Sequence, residues 1–319
     1  MPENNPNILT SKTALELETI PPTLLVVGGG IIGLELGQVY ASLGSKVTVV
    51  EYLPSLVPGA DSDIIKPLQR KLNKQFEQIL LSSKVVSVSE IKQDQLSVQI
   101  EDKSGIKERV FDKILISVGR TPNINNLKLE NTNVELNEAG FIKVNEYQKT
   151  TVNSIYAIGD IVGNPMLAHK ATYQGKIAAE VISGHPAVYD VKTVPSVVYT
   201  DPEVAWAGIT EKEAKENEIP YEKGEFPWAA SGKALILNAN QGKTKILFNP
   251  ENKQVIGVGI VGPSAGDIIS EAMLAIEMGS DAEDIGLTMH PHPTLGETMA
   301  AAAEVFTGSI TDLYIPPKK

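Results

Sequence analysis

The stretch TLLVVGGGIIGLELGQVYASLGSKVTVVE, Thr23 to Glu51, decides the fold. TLLVV (Thr23 to Val27) is a short apolar, β-branched run stopped by three glycines. IIGLELGQVYASLG then repeats apolar residues at helical spacing and closes at Gly44, and KVTVVE (Lys46 to Glu51) reads as the next strand. Strand, glycine turn, helix and strand in that order open a parallel βαβ unit. Gly28-Gly29-Gly30-Ile31-Ile32-Gly33 fits the G-x-G-x-x-G pattern of a dinucleotide loop. Gly28 permits the tight turn, Gly30 lets a pyrophosphate approach the backbone, and Gly33 lets helix and sheet pack closely. Free N–H groups at the helix start then face the phosphates. Glu51 follows Gly33 by eighteen residues, at the end of the second strand, where an acid accepts hydrogen bonds from a ribose diol. No Lys or Arg follows it until Lys66, which favours NAD over NADP. The competing reading is a glycine-rich turn that binds nothing, with Glu51 at a solvated strand end.

Outward from this unit, Ile64, Ile65, Leu68, Leu72, Phe76 and Ile79 recur on one side and predict a helix from about Asp63 to Gln78. From Leu80 to Gly119 the pattern changes to period-two runs, KVVSVSE, QLSVQIE and RVFDKILISVG, which predict a small antiparallel meander and one last core strand. Residues 1–20 have loop composition with a helix-like patch from Thr13 to Leu17, so regular structure is expected from Thr23. Residues 120–190 read as a polar loop, a strand SIYAIGD (Ser154 to Asp160) and a helix through LAHKATYQGKIAAEVISG that ends at Gly184. From Thr193 to about Phe306 the pattern is α+β. It has strands SVVYT, TKILF and VIGVGIVG, a capping box at Thr210 and Glu213, and helices near Asp267 to Met278 and Glu297 to Phe306. The PPKK tail is expected to be frayed.

The 319 residues, 42% apolar and 21% charged, describe an ordinary globular protein of two domains or a little more. A net charge of -11 and a pI near 5.0 leave no basic surplus for phosphates, so nucleic acid is not an expected partner. The cysteine count is zero. No disulfide, cysteine nucleophile, thiolate metal site or dithiol redox motif can be built from these residues alone. The polar N-terminus and the lack of an 18-residue apolar run give neither a targeting segment nor a membrane span. The expected location is the bacterial cytoplasm or a mitochondrial matrix.

Five ordered motifs carry a resemblance: LLVVGGGIIGLELGQVYASLGSKVTVVE, ILISVGRTPN, TVNSIYAIGD, MLAHKA and HPHPTLGE. Together they resemble the dihydrolipoamide dehydrogenase family, the flavin-dependent E3 components of 2-oxo acid dehydrogenase complexes, within the pyridine nucleotide-disulfide oxidoreductases. The resemblance covers essentially the whole chain. It implies an α/β Rossmann-like NAD domain (βαβ plus antiparallel meander), part of an FAD domain, and a C-terminal α+β dimerisation domain. The matching boundaries are a linker at 1–20, the NAD domain at 21–120, the FAD part at 121–190 and the interface domain at 191–319.

Residue by residue, the resemblance implies NAD on Gly28, Gly29, Gly30, Ile31, Ile32, Gly33, Leu34 and Glu35, and on Glu51, Val85 and Gly119. It implies FAD on Asp160 and on the backbone of Met166, Leu167, Ala168 and His169, where a helix start would stabilise negative charge on the flavin. The alternative for IYAIGD is a buried strand ending in an ordinary turn. His292 and Glu297 match the family's acid/base pair, in which the histidine takes a proton from a substrate thiol and the carboxylate orients it. His290, His292 and Glu297 as metal ligands, or His-Pro-His-Pro as a rigid turn, are the competing readings. A homodimer through the C-terminal domain and a lipoyl-domain partner are also implied.

The family's first third, with another glycine fingerprint and a C-x4-C redox segment, has no counterpart here. The expectation is therefore an N-terminally truncated member that binds NAD weakly, holds little or no FAD and has no lipoamide activity alone. A non-catalytic NAD-binding or partner-binding module, a glutathione reductase-like enzyme, and an NADH oxidoreductase of another kind are the alternatives.

Overall fold

β2 (Thr23–Val27) and β3 (Lys46–Val50) are almost continuously apolar because both of their faces are covered. Leu24, Val26, Val47 and Val49 point to one side, toward α1 (Ile31–Ser42) and α2 (Ser62–Gln75). Leu25, Val27 and Val50 point to the other, toward the meander. Successive side chains thus feed two separate cores, and each full burial contributes about 1.5–3 kcal/mol. The computed structural model describes residues 5–16, 18–92 and 95–314; the PPKK tail and Leu17 lie outside the described residues.

The chain divides into two compact units, residues 1–118 with 195–319, and residues 119–194. In the first, β1 (Ile8–Leu9), β2, β3, β4 (Gln78–Leu80) and β8 (Lys113–Ile116) form a parallel sheet in the order β1-β8-β2-β3-β4. β5 (Lys84–Lys92), β6 (Gln95–Asp102) and β7 (Gly105–Phe111) form the antiparallel meander.

Three local expectations are corrected here. Regular structure begins before Thr23, because β1 adds an edge to β8. The helix expected to reach Gln78 stops at Gln75: Phe76 turns extended and buries its ring, which frees Gln78–Leu80 to extend the sheet. RVFDKILISVG is two strands, parted at Asp112. The carboxylate of Asp112 accepts from the backbone N–H (2.9 Å) and hydroxyl (2.6 Å) of Thr23, and this corner moves the chain from the meander into the parallel sheet.

The unit 119–194 holds one long helix, α3 (Ala168–Ile182), and a small core of Val134, Ile142 and Ala157. Ser154 to Asp160 is not a strand. Tyr156 makes a single bridge with Lys149, and the N–H of Gly159 is then taken by the Gln174 side chain of α3 at 2.8 Å, so the pairing cannot continue. Gly159–Ile161 closes instead into a 3-10 turn.

Residues 195–319 return to the first unit with β9 (Ser196–Val198), β10 (Val204–Gly208), α4 (Glu211–Glu216), β11 (Glu222–Pro227), α5 (Gly232–Ile236), β12 (Lys243–Phe248) and β13 (Val255–Val261). α6 (Ala265–Met278), α7 (Ala282–Leu287) and α8 (Glu297–Thr307) follow. The strands make an antiparallel sheet, β11-β12-β13-β10-β9, whose Phe226, Ile246, Phe248 and Ile260 pack against Ile269, Ala272, Met299 and Ala302 of α6 and α8. Thr210 and Glu213 form the expected capping box at α4.

Lys245 on β12 is 1% exposed and donates to Asp61 at 2.8 Å, Asp63 at 2.7 Å and Glu211 at 2.9 Å. Asp61 also accepts the backbone N–H groups of Glu211 and Lys212 at the start of α4. One buried ammonium therefore ties the entrance of α2 to the entrance of α4 and to the sheet.

Candidate functional site

α8 begins at Glu297, and its carboxylate sits where the helix macrodipole favours negative charge. One oxygen accepts the backbone N–H of Thr294 at 2.6 Å, and the other lies 2.7 Å from Nδ1 of His292. The Thr294 hydroxyl donates to the Pro291 carbonyl at 2.7 Å and closes the intervening turn on itself. Because the carboxylate accepts, Nδ1 carries the hydrogen and Nε2 keeps its lone pair. The His292 ring is 77% exposed, so Nε2 is open to a donor arriving from outside. The geometry allows the pair to take a proton at Nε2 and to stabilise the resulting imidazolium through Glu297.

His290 turns the other way, with Nε2 2.9 Å from Glu271 on α6 and Nδ1 2.8 Å from the Thr288 carbonyl. His290, His292 and Glu297 do not converge as a ligand set among the described residues. The carboxylate cluster found there is Asp61, Asp63 and Glu211, whose centre is filled by Lys245.

At the glycine turn, Gly28 has φ +110°, and a Cβ on Gly33 would collide with the Gly28 carbonyl. Nothing lies within 4 Å of a Cβ position on Gly30, so that side of the turn is open where a phosphate would approach. Gly30 caps α1 without a side chain, and Leu34 makes the first backbone bond back to it at 3.1 Å. The N–H groups of Ile31, Ile32 and Gly33 precede that first helical bond. Leu34 itself is buried core.

Glu51 is 8% exposed, and it has a structural task that the strand-end position did not announce. Its two oxygens accept the N–H of Gly29 at 2.6 Å and of Leu53 at 2.7 Å, fastening the glycine turn to the end of β3. Each oxygen retains a second acceptor site for a ribose hydroxyl. Glu35 is half-buried and accepts the Tyr199 N–H at 2.8 Å; burial lifts its carboxyl above the ordinary range against the pull of that bond. Val85 packs against the core beneath β5.

In the second unit, Gly119 has φ +132°. Asp160 pairs with Arg120, whose guanidinium also donates to the Met166 carbonyl at 3.1 Å. Leu167 is the extended cap of α3, with no side-chain bond, and Ala168 and His169 form its first turn. Lys170 is buried and donates to the Gly163 carbonyl at 2.9 Å. Burial pushes its ammonium below the usual value while Asp160 pulls it back. Arg120 and Glu271 had no assigned role in the sequence. Arg120 stands inside a recognised motif, GRTPN, but Glu271 is one acid among many on an apolar helix.

Residues 3–175 match the model of the pyridine nucleotide-disulphide oxidoreductase family, and residues 194–303 match that family's dimerisation domain. The chain belongs to this family. Two curated relatives are the dihydrolipoyl dehydrogenases of Vibrio parahaemolyticus, 50% identical over 100% of this chain, and of Buchnera aphidicola subsp. Schizaphis graminum, 49% identical over 98%. The chain spans 66% of the length of each.

Among solved structures, the HOCl-induced flavoprotein disulfide reductase RclA of Escherichia coli superposes with a TM-score of 0.86 at 25% identity, covering 96% of this chain and 71% of that one. LpdA of Mycobacterium tuberculosis gives 0.85 at 26% identity, covering 93% and 64%. The family fold, a parallel sheet with a dimerisation domain, is the one described above. No helix among the described residues is long and apolar enough to cross a membrane.

Proposed function

We propose that this sequence belongs to a dihydrolipoyl dehydrogenase, which oxidises dihydrolipoamide to lipoamide and reduces NAD, using FAD and a redox disulfide. The observation that carries the reading is whole-chain identity near 50% to proteins of that name. The exposed His292–Glu297 pair supports it, because a dithiol must lose protons to be oxidised and Nε2 can receive one. On this reading 21–120 is the NAD domain, 121–190 contributes to the FAD site, and 191–319 forms a homodimer interface.

Each cofactor has matching chemistry on the chain. The open side of Gly30 and the start of α1 fit a pyrophosphate, and Glu51 fits the adenosine ribose of NAD. Asp160 would hold a hydroxyl of the flavin tail, and the uncapped start of α3 would face the ring's polar edge. When bound, the flavin relays the substrate's electrons to NAD. Within the chain, Thr294 fixes Glu297, Glu297 fixes the His292 tautomer, and Nε2 holds the substrate proton. Electrons leaving the dithiol need a cysteine pair, and these 319 residues contain none. The remaining proposals are a lipoyl domain as the carrier of the substrate and the cytoplasm or matrix as the location.

The test has two arms. NAD and NADP are titrated calorimetrically into the 319-residue chain; weak NAD binding with NADP weaker still is expected, and equal binding of the two overturns the nucleotide assignment. The protein made from its own gene, supplied with FAD, is assayed with dihydrolipoamide and NAD. Turnover that falls by about 10²-fold or more in His292→Gln is expected. Unchanged turnover removes His292 from the reaction. The 319 residues alone should give none, and a yellow preparation of them that reduces NAD with dihydrolipoamide would overturn the need for outside cysteines.

A further inference from the structure

From Leu287 to Pro293 every residue is exposed except His290. Its side chain is 10% exposed and both ring nitrogens are engaged. Nδ1 donates to the Thr288 carbonyl at 2.8 Å, within its own turn, and Nε2 meets Glu271 of α6 at 2.9 Å, outside it. The ring also stands near the residue before α8: a Cβ built on Gly296 would be 3.9 Å from Cδ2 of His290. His290 is thus joined to His292 through Pro291 and stands near Gly296, the neighbour of Glu297 in the chain. Between the buried Ile285 and the buried Leu295 it is the single inward-facing side chain in an otherwise solvent-facing loop segment from 287 to 293.

We infer that His290, held by Glu271, is a positioning residue for the proton acceptor: the pair pins the 288–296 turn to α6 and so keeps Nδ1 of His292 on Glu297. This deepens the proposed function and rests on reading His292 as the acid/base. The physical need is plain. The His292 ring is 77% exposed and has little packing of its own, so the 2.7 Å bond to Glu297 is only as fixed as the turn that carries it. An exposed bond of this kind, left to itself, is weak and easily broken. A mostly covered ring bonded at both ends and braced on α6 supplies the missing constraint.

The experiment needs no cofactor, because the chain has four histidines and long-range ¹H–¹⁵N spectra resolve each ring. In the wild type, His292 should show the Nδ1–H tautomer that Glu297 selects. Glu271→Ala removes the outside anchor from a partly exposed helix position, and thermal unfolding confirms that the fold is kept. His292 is expected to lose the Nδ1–H signature in this variant and to retain it in Glu271→Gln, where an acceptor oxygen remains. An unchanged His292 in Glu271→Ala, or equal loss in both variants, overturns the inference and leaves the acid/base reading standing. A wild-type His292 that lacks the Nδ1–H form overturns both.

Discussion

Lys245 and His292 both lean on carboxylates, yet Lys245 is 1% exposed and bonded to three, while His292 is 77% exposed and bonded to one. The ammonium has three hydrogens and all three are committed, so nothing is left for a ligand. The imidazole commits one nitrogen and offers the other. Burial alone would push the Lys245 ammonium down, but its bonds to Asp61, Asp63 and Glu211 outweigh burial and hold it above its ordinary value. Charge pairing therefore serves two ends in one unit. Saturated and buried, it joins elements; unsaturated and open, it is available for chemistry.

The sharpest break of this comparison is Lys245→Met. It takes from Asp61, Asp63 and Glu211 the buried cation they share, leaving Asp63 to Lys243 and Glu211 to Lys223, and removal of one partner from a buried cluster costs about 3–5 kcal/mol. Urea unfolding should show a loss of that order, and a loss under about 1 kcal/mol would mean that water already shares the cluster.

Acid should release the same clamp more gradually. Burial would raise the Glu211 carboxyl, but bonds from Lys245, Tyr221 and Lys223 prevail and hold it at about 2. Asp63 is likewise lowered: burial is again opposed, and here outweighed, by Lys243 and Lys245. Both carboxyls are depressed in the folded state, so their stabilisation is present above the unfolded value of about 4.3 for Glu and 3.9 for Asp. It is lost as pH falls from there through the folded values near 2 for Glu211. Wild type should therefore lose more urea resistance between pH 5 and pH 2.5 than Glu211→Gln does, and parallel curves would remove Glu211 from the clamp.

These two regions were not equally legible. The glycine turn announces itself because its chemistry is local to Gly28 and Gly33, whereas the His292–Glu297 pairing is implied by the resemblance of HPHPTLGE to a family motif and is seen as a contact in the structure. The capping box at Thr210 and Glu213 is readable for the same reason. The clamp is silent in sequence. Lys245 lies 184 residues from Asp61 and 34 from Glu211, and hydrophobic periodicity reports which face is buried, not which charge will be found there. Asp112 is hidden for a related reason: its corner with Thr23 spans 89 residues, so the period-two run RVFDKILISVG does not show where its two strands part. Ser154 to Asp160 failed in the opposite sense. The run has strand composition but no neighbour beyond one bridge, and Gln174 of α3 takes the backbone group that would have extended it. Glu51 reads in the sequence as a proposed ligand position and is silent as the anchor of Gly29, since a carboxylate at a strand end can serve either end.

The smallest effect on stability is expected at Glu297, and that smallness is the point of the comparison. Glu297→Ala removes the acceptor of His292 Nδ1 and of the Thr294 N–H, both at a turn where water can replace them. Exposed pairs of this kind contribute about 0–1 kcal/mol, so the urea midpoint should move little. The chemistry should move much more. Without the carboxylate the ring is free to place its hydrogen on Nε2, the atom that accepts the substrate proton in the proposed function, and an imidazolium formed there has lost its counter-charge. Dihydrolipoamide oxidation by the protein from its own gene, loaded with FAD, should therefore fall by about 10²-fold or more while the unfolding curve stays within about 1 kcal/mol of wild type. If Glu297→Ala proves as destabilising as Lys245→Met, then Glu297 is a second structural clamp. The line drawn between saturated and open charge pairs would then be in the wrong place.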